Sequence, residues 1–140
     1  MNILKLELTH FGKFHLKTIT FTSGLNIVYG KNEAGKSTIH AFVRSMLFGI
    51  PDTEEGNERY SHYLPWETPH DFCGRMWIKK DDKVYRIERN FLRPQPTVRV
   101  FDDETDESLQ PAKQHLRQIL SGLTETSYLN TICIEQLKSA

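Results

Sequence analysis

Nine consecutive residues stand out for the chemistry that their types and spacing permit: Gly30-Lys31-Asn32-Glu33-Ala34-Gly35-Lys36-Ser37-Thr38. They match G-x-x-x-x-G-K-[ST] in full, with one further hydroxyl behind it. Gly30 and Gly35 let the backbone turn tightly and bring its N–H groups against phosphate oxygens. A helix starting at the same point adds partial positive charge. Lys36 would set its ammonium on the β- and γ-phosphates of a nucleotide, and Ser37 would offer its hydroxyl to Mg²⁺. Thr38 could bond a further phosphate oxygen. The plain alternative is a Gly-rich turn with an exposed lysine. Context decides between them, because the motif needs a strand before it and a helix after it.

Both elements are expected. Leu25–Tyr29 is a short, mostly apolar run, as an inner strand requires. From about Lys36 to Phe48, Ile39, Phe42, Val43, Met46 and Leu47 recur at helical spacing and give one apolar face. Gly49 and Pro51 then stop the helix. Before the motif, Leu4, Leu6 and Leu8 alternate with Lys5, Glu7 and Thr9, the period of a half-buried strand. Phe14 and Leu16, then Ile19 and Phe21, repeat the pattern with a phase slip that a bulge near Lys17–Thr18 would explain. Residues 50–71 read as a long loop, first acidic and then rich in Tyr, His and Pro. Tyr60, Tyr63 and Trp66 in it are expected to pack on the sheet rather than on a partner.

Phe72–Ile78 and Lys83–Phe91 flank the turn Lys79–Asp82 and predict a hairpin, with Thr97–Phe101 as a further strand. Asp102–Ser108 reads as a polar turn. Pro111 suits the first turn of a helix ended by Gly122, and Thr124 can cap a short helix through Leu129. Thr131–Ile134 reads as a last strand, leading to Glu135 and Gln136. The expected organisation is one domain. Residues 1–49 hold strands, motif and helix; 50–71 the loop; 72–102 antiparallel strands; 108–129 helices; and 130–137 the final strand.

Nucleotide hydrolysis needs more than a phosphate cradle. It needs an acidic Mg²⁺ ligand and a group to position water. The segment Val98-Arg99-Val100-Phe101-Asp102-Asp103-Glu104 is the best candidate for the acidic strand, and it fails: such a strand is central, parallel and continuously apolar, whereas Arg99 interrupts this one. An N-K-x-D guanine reader is absent too. The chain reads as part of an ATPase.

The opening NILKLELTHFGKFHLKTITFTSGLNIVYGKNEAGKST resembles the N-terminal segment of the SMC/SbcC/RecF group of ABC-type ATPases. FGKF, GLNIVYG and NEAGKST are most similar to the YhaN-like, SbcC-related members, and the likeness continues through RYSHYLPWE, VYRIERNF and TICIEQL. The resemblance implies an α/β P-loop NTPase lobe, with a mixed sheet around the P-loop helix and a smaller antiparallel β-sheet. It implies a split head whose C-terminal lobe brings the signature and Walker B motifs after a coiled coil, and heads that act as a homodimer on ATP and Mg²⁺. Further partners implied are DNA and a nuclease subunit. Gln136, at the end of the last strand, matches the Q-loop glutamine, which would touch Mg²⁺ and the attacking water. Lys36 and Gln136 are then the catalytic candidates, and Ser37 and Gln136 the metal-facing ones. Break-repair relatives carry a basic residue directly after the Phe of FGKF's position; here that residue is Gly12, and Lys13 is the candidate to take over its contact. Leu120-Ser121-Gly122-Leu123 begins like a signature motif but lacks the second Gly and the Gln, and reads as a helix stop.

The remaining signals are weaker. Residues 75–99 carry eight Lys or Arg against three acids, a patch that could meet DNA phosphates but that reads as the solvated face of an antiparallel sheet. His62, His70 and Cys73 lack an evident fourth metal ligand, and Cys73 and Cys133 fit no zinc or redox spacing. Lys+Arg 18 against Asp+Glu 18 excludes a uniformly basic nucleic-acid binder. The opening strand is not a signal peptide, and no apolar run approaches a membrane span; a reduced cytoplasmic setting is expected. Two other functions fit the motif. One is a self-sufficient small nucleotide kinase, which would need a substrate lid and a second acidic ligand. The other is a non-catalytic module whose shape nucleotide sets. On the leading reading this chain alone is nearly inactive.

Overall fold

The computed structural model describes residues 1–21 and 33–130, with side chains described for 1–21 and 37–127. Its elements are β1 (Asn2–Phe11), β2 (Phe14–Thr20), α1 (Glu33–Phe48), α2 (Glu54–Tyr63), β3 (Cys73–Lys80), β4 (Lys83–Asn90), β5 (Thr97–Asp102), β6 (Glu107–Leu109), α3 (Ala112–Leu120) and α4 (Glu125–Asn130). The described strands form a six-stranded sheet in the order β2-β1-β3-β4-β5-β6, with every neighbouring pair antiparallel. The opening strands and the later antiparallel strands, expected apart, thus share a sheet. β1 pairs with both β2 and β3, so the opening hairpin and the later strands share one ladder. The strands expected at 25–29 and 131–134 lie outside the described residues.

The helix after the motif has the expected face. Ile39, Phe42, Val43, Met46 and Leu47 are all buried against the sheet. α1 starts at Glu33 rather than Lys36. Gly74 on β3 is what lets it lie close. A Cβ there would stand 2.3 Å from Phe42 Cε1, so any side chain at position 74 would push the helix off the strand. Phe42 in turn meets Phe11 edge-on at 5.1 Å, and Phe11 touches Phe72 and Phe91.

The far end of α1 has no cation of its own in its last turn. Arg89 of β4 supplies one: Nε donates to Met46 O at 2.7 Å and Nη2 to Leu47 O at 3.4 Å. Burial pushes Arg89 down to about 10, which leaves it charged at neutral pH and opposite the negative end of the helix dipole.

Leu6 and Leu8 are buried as predicted, but Leu4 is only half-buried, and Ile3 and Phe11 join the core instead. Register shifts between Ile3 and Lys5 and between Glu7 and His10 cause this, because each bulge moves the inward phase by one residue. In β2 the phase slip falls at Leu16, not at Lys17–Thr18. Leu16 has φ +50° and is 72% exposed, while the pairing with β1 keeps its register.

The stretch expected to be a loop carries α2. Thr53 caps it by accepting from Gly56 N at 3.0 Å, and Glu54 and Glu55 complement the positive end of its dipole. The β3–β4 hairpin turns through Asp81 and Asp82, both at positive φ. Asp102 to Asp106 turn the chain into β6, a short strand where a polar turn was expected. α3 stops at Ser121 and Gly122, both left-handed, and Thr124 Oγ1 accepts from Ser127 N at 3.1 Å to cap α4. Among the described residues no helix is long and apolar enough to cross a membrane.

Candidate functional site

Three elements converge where α1 begins. The β1–β2 turn contributes Gly12, whose φ of +60° tightens the turn and whose N–H donates to Tyr63 O at 2.7 Å. A Cβ on Gly12 would stand 3.3 Å from Tyr63 Cδ1 and 3.5 Å from Thr38 Cγ2, so turn, α1 and the end of α2 meet with no room to spare. Tyr63 is held from both sides. Its ring stacks on Phe11 at 5.2 Å, and its hydroxyl reaches Ser37 O at 3.5 Å. Burial raises the Tyr63 phenol above its ordinary value, against the pull of Arg59, so it stays a neutral donor.

Together these elements enclose a cleft of about 1060 Å³. Lys13, Ser37, Thr38, Tyr63 and Trp66 line it. Lys13 and Ser37 are exposed to it. Trp66 is 94% exposed, contrary to the expectation that it packs on the sheet. Tyr60 and Tyr63 do pack, Tyr60 against Phe72 at 5.2 Å. An indole this bare beside backbone and hydroxyl donors is a ready stacking surface. The sequence signal for it was slight: an aromatic just past a helix end, after a buried proline.

Of the residues expected to bind, the structure brings Ser37, Thr38 and Lys13 to this one cleft. Glu33, Ala34, Gly35 and Lys36 form the first turn of α1, and nothing of their side chains is described. Gly30, Lys31, Asn32 and Gln136 lie outside the described residues. The observable features fit a nucleotide with its Mg²⁺. The volume is that of a ligand pocket. A glycine stands where a Cβ would crowd the wall, and two hydroxyl-bearing residues and one lysine line the space.

The basic stretch at 75–99 is internally matched. The register aligns Glu7, Arg75, Glu88 and Arg99 in one row across four strands. Arg75 lies 3.3 Å from Glu7 and 4.0 Å from Glu88. In the next row Lys5 sits over Trp77 at 4.2 Å and Arg86 over Phe101 at 4.3 Å. Arg86 also binds Glu88, Asp103 and Asp106. These cations are engaged with their own sheet, as a solvated face would have them.

Asp102 is occupied as well. Its carboxylate accepts from Glu104 N and Thr105 N and pairs with Lys83 at 3.2 Å, so it builds a turn at the end of an antiparallel strand. His62, His70 and Cys73 are not gathered: among the described residues no three His, Cys, Asp or Glu could hold a metal. Burial, with Asp71 and Glu7 nearby, pushes the Cys73 thiol up despite Arg75, so it stays protonated.

A family described as AAA domain matches residues 1–138 of the sequence. The chain belongs to that family. It is 43% identical over 56 residues to YhaN of Bacillus subtilis (strain 168), an alignment covering 39% of this chain and 6% of that protein. It is 26% identical over 146 residues to the DNA double-strand break repair Rad50 ATPase of Thermococcus kodakarensis, covering 97% of this chain and 15% of that protein. This AAA domain thus corresponds to the N-terminal region of an SMC/SbcC-type ATPase and spans a small part of the curated relatives it matches.

Proposed function

We propose that this AAA domain binds ATP with Mg²⁺ through Gly30–Thr38, as the N-terminal half of a dimeric SbcC/SMC-like ATPase head that acts in DNA repair or DNA processing. The observation that carries the reading is the cleft at the start of α1, which Ser37 and Thr38 line together with Gly12 and Lys13 of the β1–β2 turn. The likeness to a Rad50 ATPase over nearly the whole chain supports the setting.

Each residue has a task on this reading. The backbone of Gly30–Gly35 and the ammonium of Lys36 take the phosphates. Ser37 Oγ turns to Mg²⁺, which when bound neutralises charge on the phosphate oxygens. Lys13 adds a second cation from the opposite wall. Trp66, exposed on the cleft, offers its ring to the base. Tyr63 fixes the distance between the Gly12 turn and Ser37. Gln136 orients water at the Mg²⁺. The acidic metal ligand and the signature motif come from a C-terminal lobe, and two heads close over the nucleotide.

An ATPase assay tests this. The 140 residues alone should turn over almost no ATP. Adding the C-terminal half should restore turnover, and Lys36→Ala should abolish it. Robust turnover by the 140 residues alone, lost in Lys36→Ala, would instead make the domain a self-sufficient enzyme.

A further inference from the structure

Behind the cleft, α1, α2 and α4 are joined by four charged side chains. Arg59 of α2 is 6% exposed. Its Nη1 donates to the buried Ser45 Oγ of α1 at 3.2 Å, and Nη2 donates to Glu55 Oε1 at 3.3 Å. Glu125, the first residue of α4, accepts from Arg44 Nε of α1 and lies 3.8 Å from Arg59 Nη2. Glu55 closes the ring by meeting Arg44 Nη2 at 3.2 Å.

The cluster is not fully satisfied. Arg59 Nε lies 3.2 Å from Glu55 Oε2, but no hydrogen bond forms there and the atom is buried without a partner. Burial, and Arg44 close by, lower the Arg59 pKa, while Glu55 and Glu125 pull it back. Arg59 is the buried member of an otherwise partly exposed cluster, and a buried cation with an orphaned donor adds little to stability, because apolar packing there would serve as well or better. What apolar contacts cannot provide is a directional link among three elements.

The link has a destination at each end. Ser37 and Thr38 lie about two turns before Arg44 on the same helix. Tyr63, which sets the Gly12 turn, lies one turn after Arg59. α4 packs on α1, and among its side chains described, Glu125 is half-buried while Thr126 and Ser127 are exposed. Glu125 thus ties the start of α4 to both α1 and α2.

We propose that Glu125, shared between Arg44 and Arg59, is a positioning residue that couples occupancy of the Ser37–Thr38 cleft to the order of α4. This rests on the nucleotide reading above. Ligand that settles α1 and the end of α2 brings both guanidinium groups into fixed places, and their common carboxylate takes α4 with them. α4 is also the last described element before Gln136 in the sequence.

Hydrogen exchange tests the coupling, with Mg-ATP as the probe. In the native chain, saturating Mg-ATP should slow exchange at the amides of residues 126–130 by about tenfold, within the usual range of coupling between sites. In Glu125→Gln that slowing should vanish, while slowing at residues 38–44 of α1 persists. Arg44→Gln, at a partly exposed position, should do the same and serves if Glu125→Gln does not fold. A purely structural role would lower the melting temperature but leave the ligand-dependent slowing of α4 unchanged. That result, or no slowing of α4 in native protein that binds Mg-ATP, overturns the proposal. If native protein binds no Mg-ATP, the nucleotide reading fails first and the coupling falls with it.

Discussion

Gly12 and Gly122 provide a matched pair of perturbations. Both adopt left-handed backbone, at φ +60° and +78°. Replacing either by Ala brings the same backbone penalty of about 1–2 kcal/mol. They differ in surroundings. A Cβ at Gly122 meets nothing within 4 Å, whereas one at Gly12 meets Tyr63 Cδ1 at 3.3 Å and Thr38 Cγ2 at 3.5 Å. Tyr63 has little room to retreat. Its carbonyl is tied to Gly12 N, and its ring lies flat on Phe11. The added methyl must therefore press on Tyr63, whose hydroxyl reaches Ser37 O at the start of α1. If that movement weakens phosphate binding by about 1 kcal/mol, Mg-ATP affinity falls roughly fivefold. Urea unfolding should show both variants destabilised by the shared backbone penalty, with Gly12→Ala the less stable because Tyr63 must also give way. Calorimetric titration should show weakened Mg-ATP binding in Gly12→Ala and native binding in Gly122→Ala. Equal affinity in the two variants would refute the argument that the Gly12 turn forms a wall of the nucleotide site.

Three further outcomes are expected. Trp66→Ala should leave stability within about 0.5 kcal/mol of native, since the ring is exposed. It should weaken Mg-ATP binding about tenfold, as loss of one stacked base does, and fluorescence titration would read both. Gly74→Ala should cost about 1–3 kcal/mol in urea unfolding, because the new methyl overlaps Phe42, and Phe42→Leu in the same chain should recover part of it. The pH dependence follows Asp102. Burial opposes its ionisation, but the bond from Lys83 and the N–H groups of Glu104 and Thr105 outweigh that and hold its pKa below the usual carboxylate value. A folded pKa below the unfolded one stabilises above the unfolded value and is lost as pH falls through the folded value. Asp102→Asn should therefore melt lower than native at neutral pH, and the two melting curves should converge in acid.

The parts of the fold legible in the sequence are those set by local rules. The buried stripe of α1 follows from helical spacing, and the β3–β4 hairpin from two alternating runs around Asp81–Asp82. The continuity of the sheet through the described strands was not legible, because the β1–β3 pairing joins residues about seventy positions apart and no local pattern specifies it. α2 was hidden by its composition. Residues 54–63 are polar but for Tyr60 and Tyr63, and the helix rests on the packing of those two rings, on the Thr53 cap and on the burial of Gly56 and Arg59. At the site, Ser37, Thr38 and Lys13 could be named from motif and resemblance. Tyr63 and Trp66 could not be told apart: both are aromatic residues in one polar stretch, and only the packing of Phe11 decides which is buried. The Arg44, Arg59, Glu125 cluster depends on three helices meeting, and nothing in the spacing of those residues announces it.

The central claim is that this lobe carries a nucleotide site at the start of α1. Calorimetric titration of the native chain with Mg-ATP, beside Lys36→Ala, tests it most directly. Saturable binding at one site is expected in the native chain, with its loss in a variant that unfolds at the same urea concentration. Equal binding by the two, or none by a folded native chain, would contradict it.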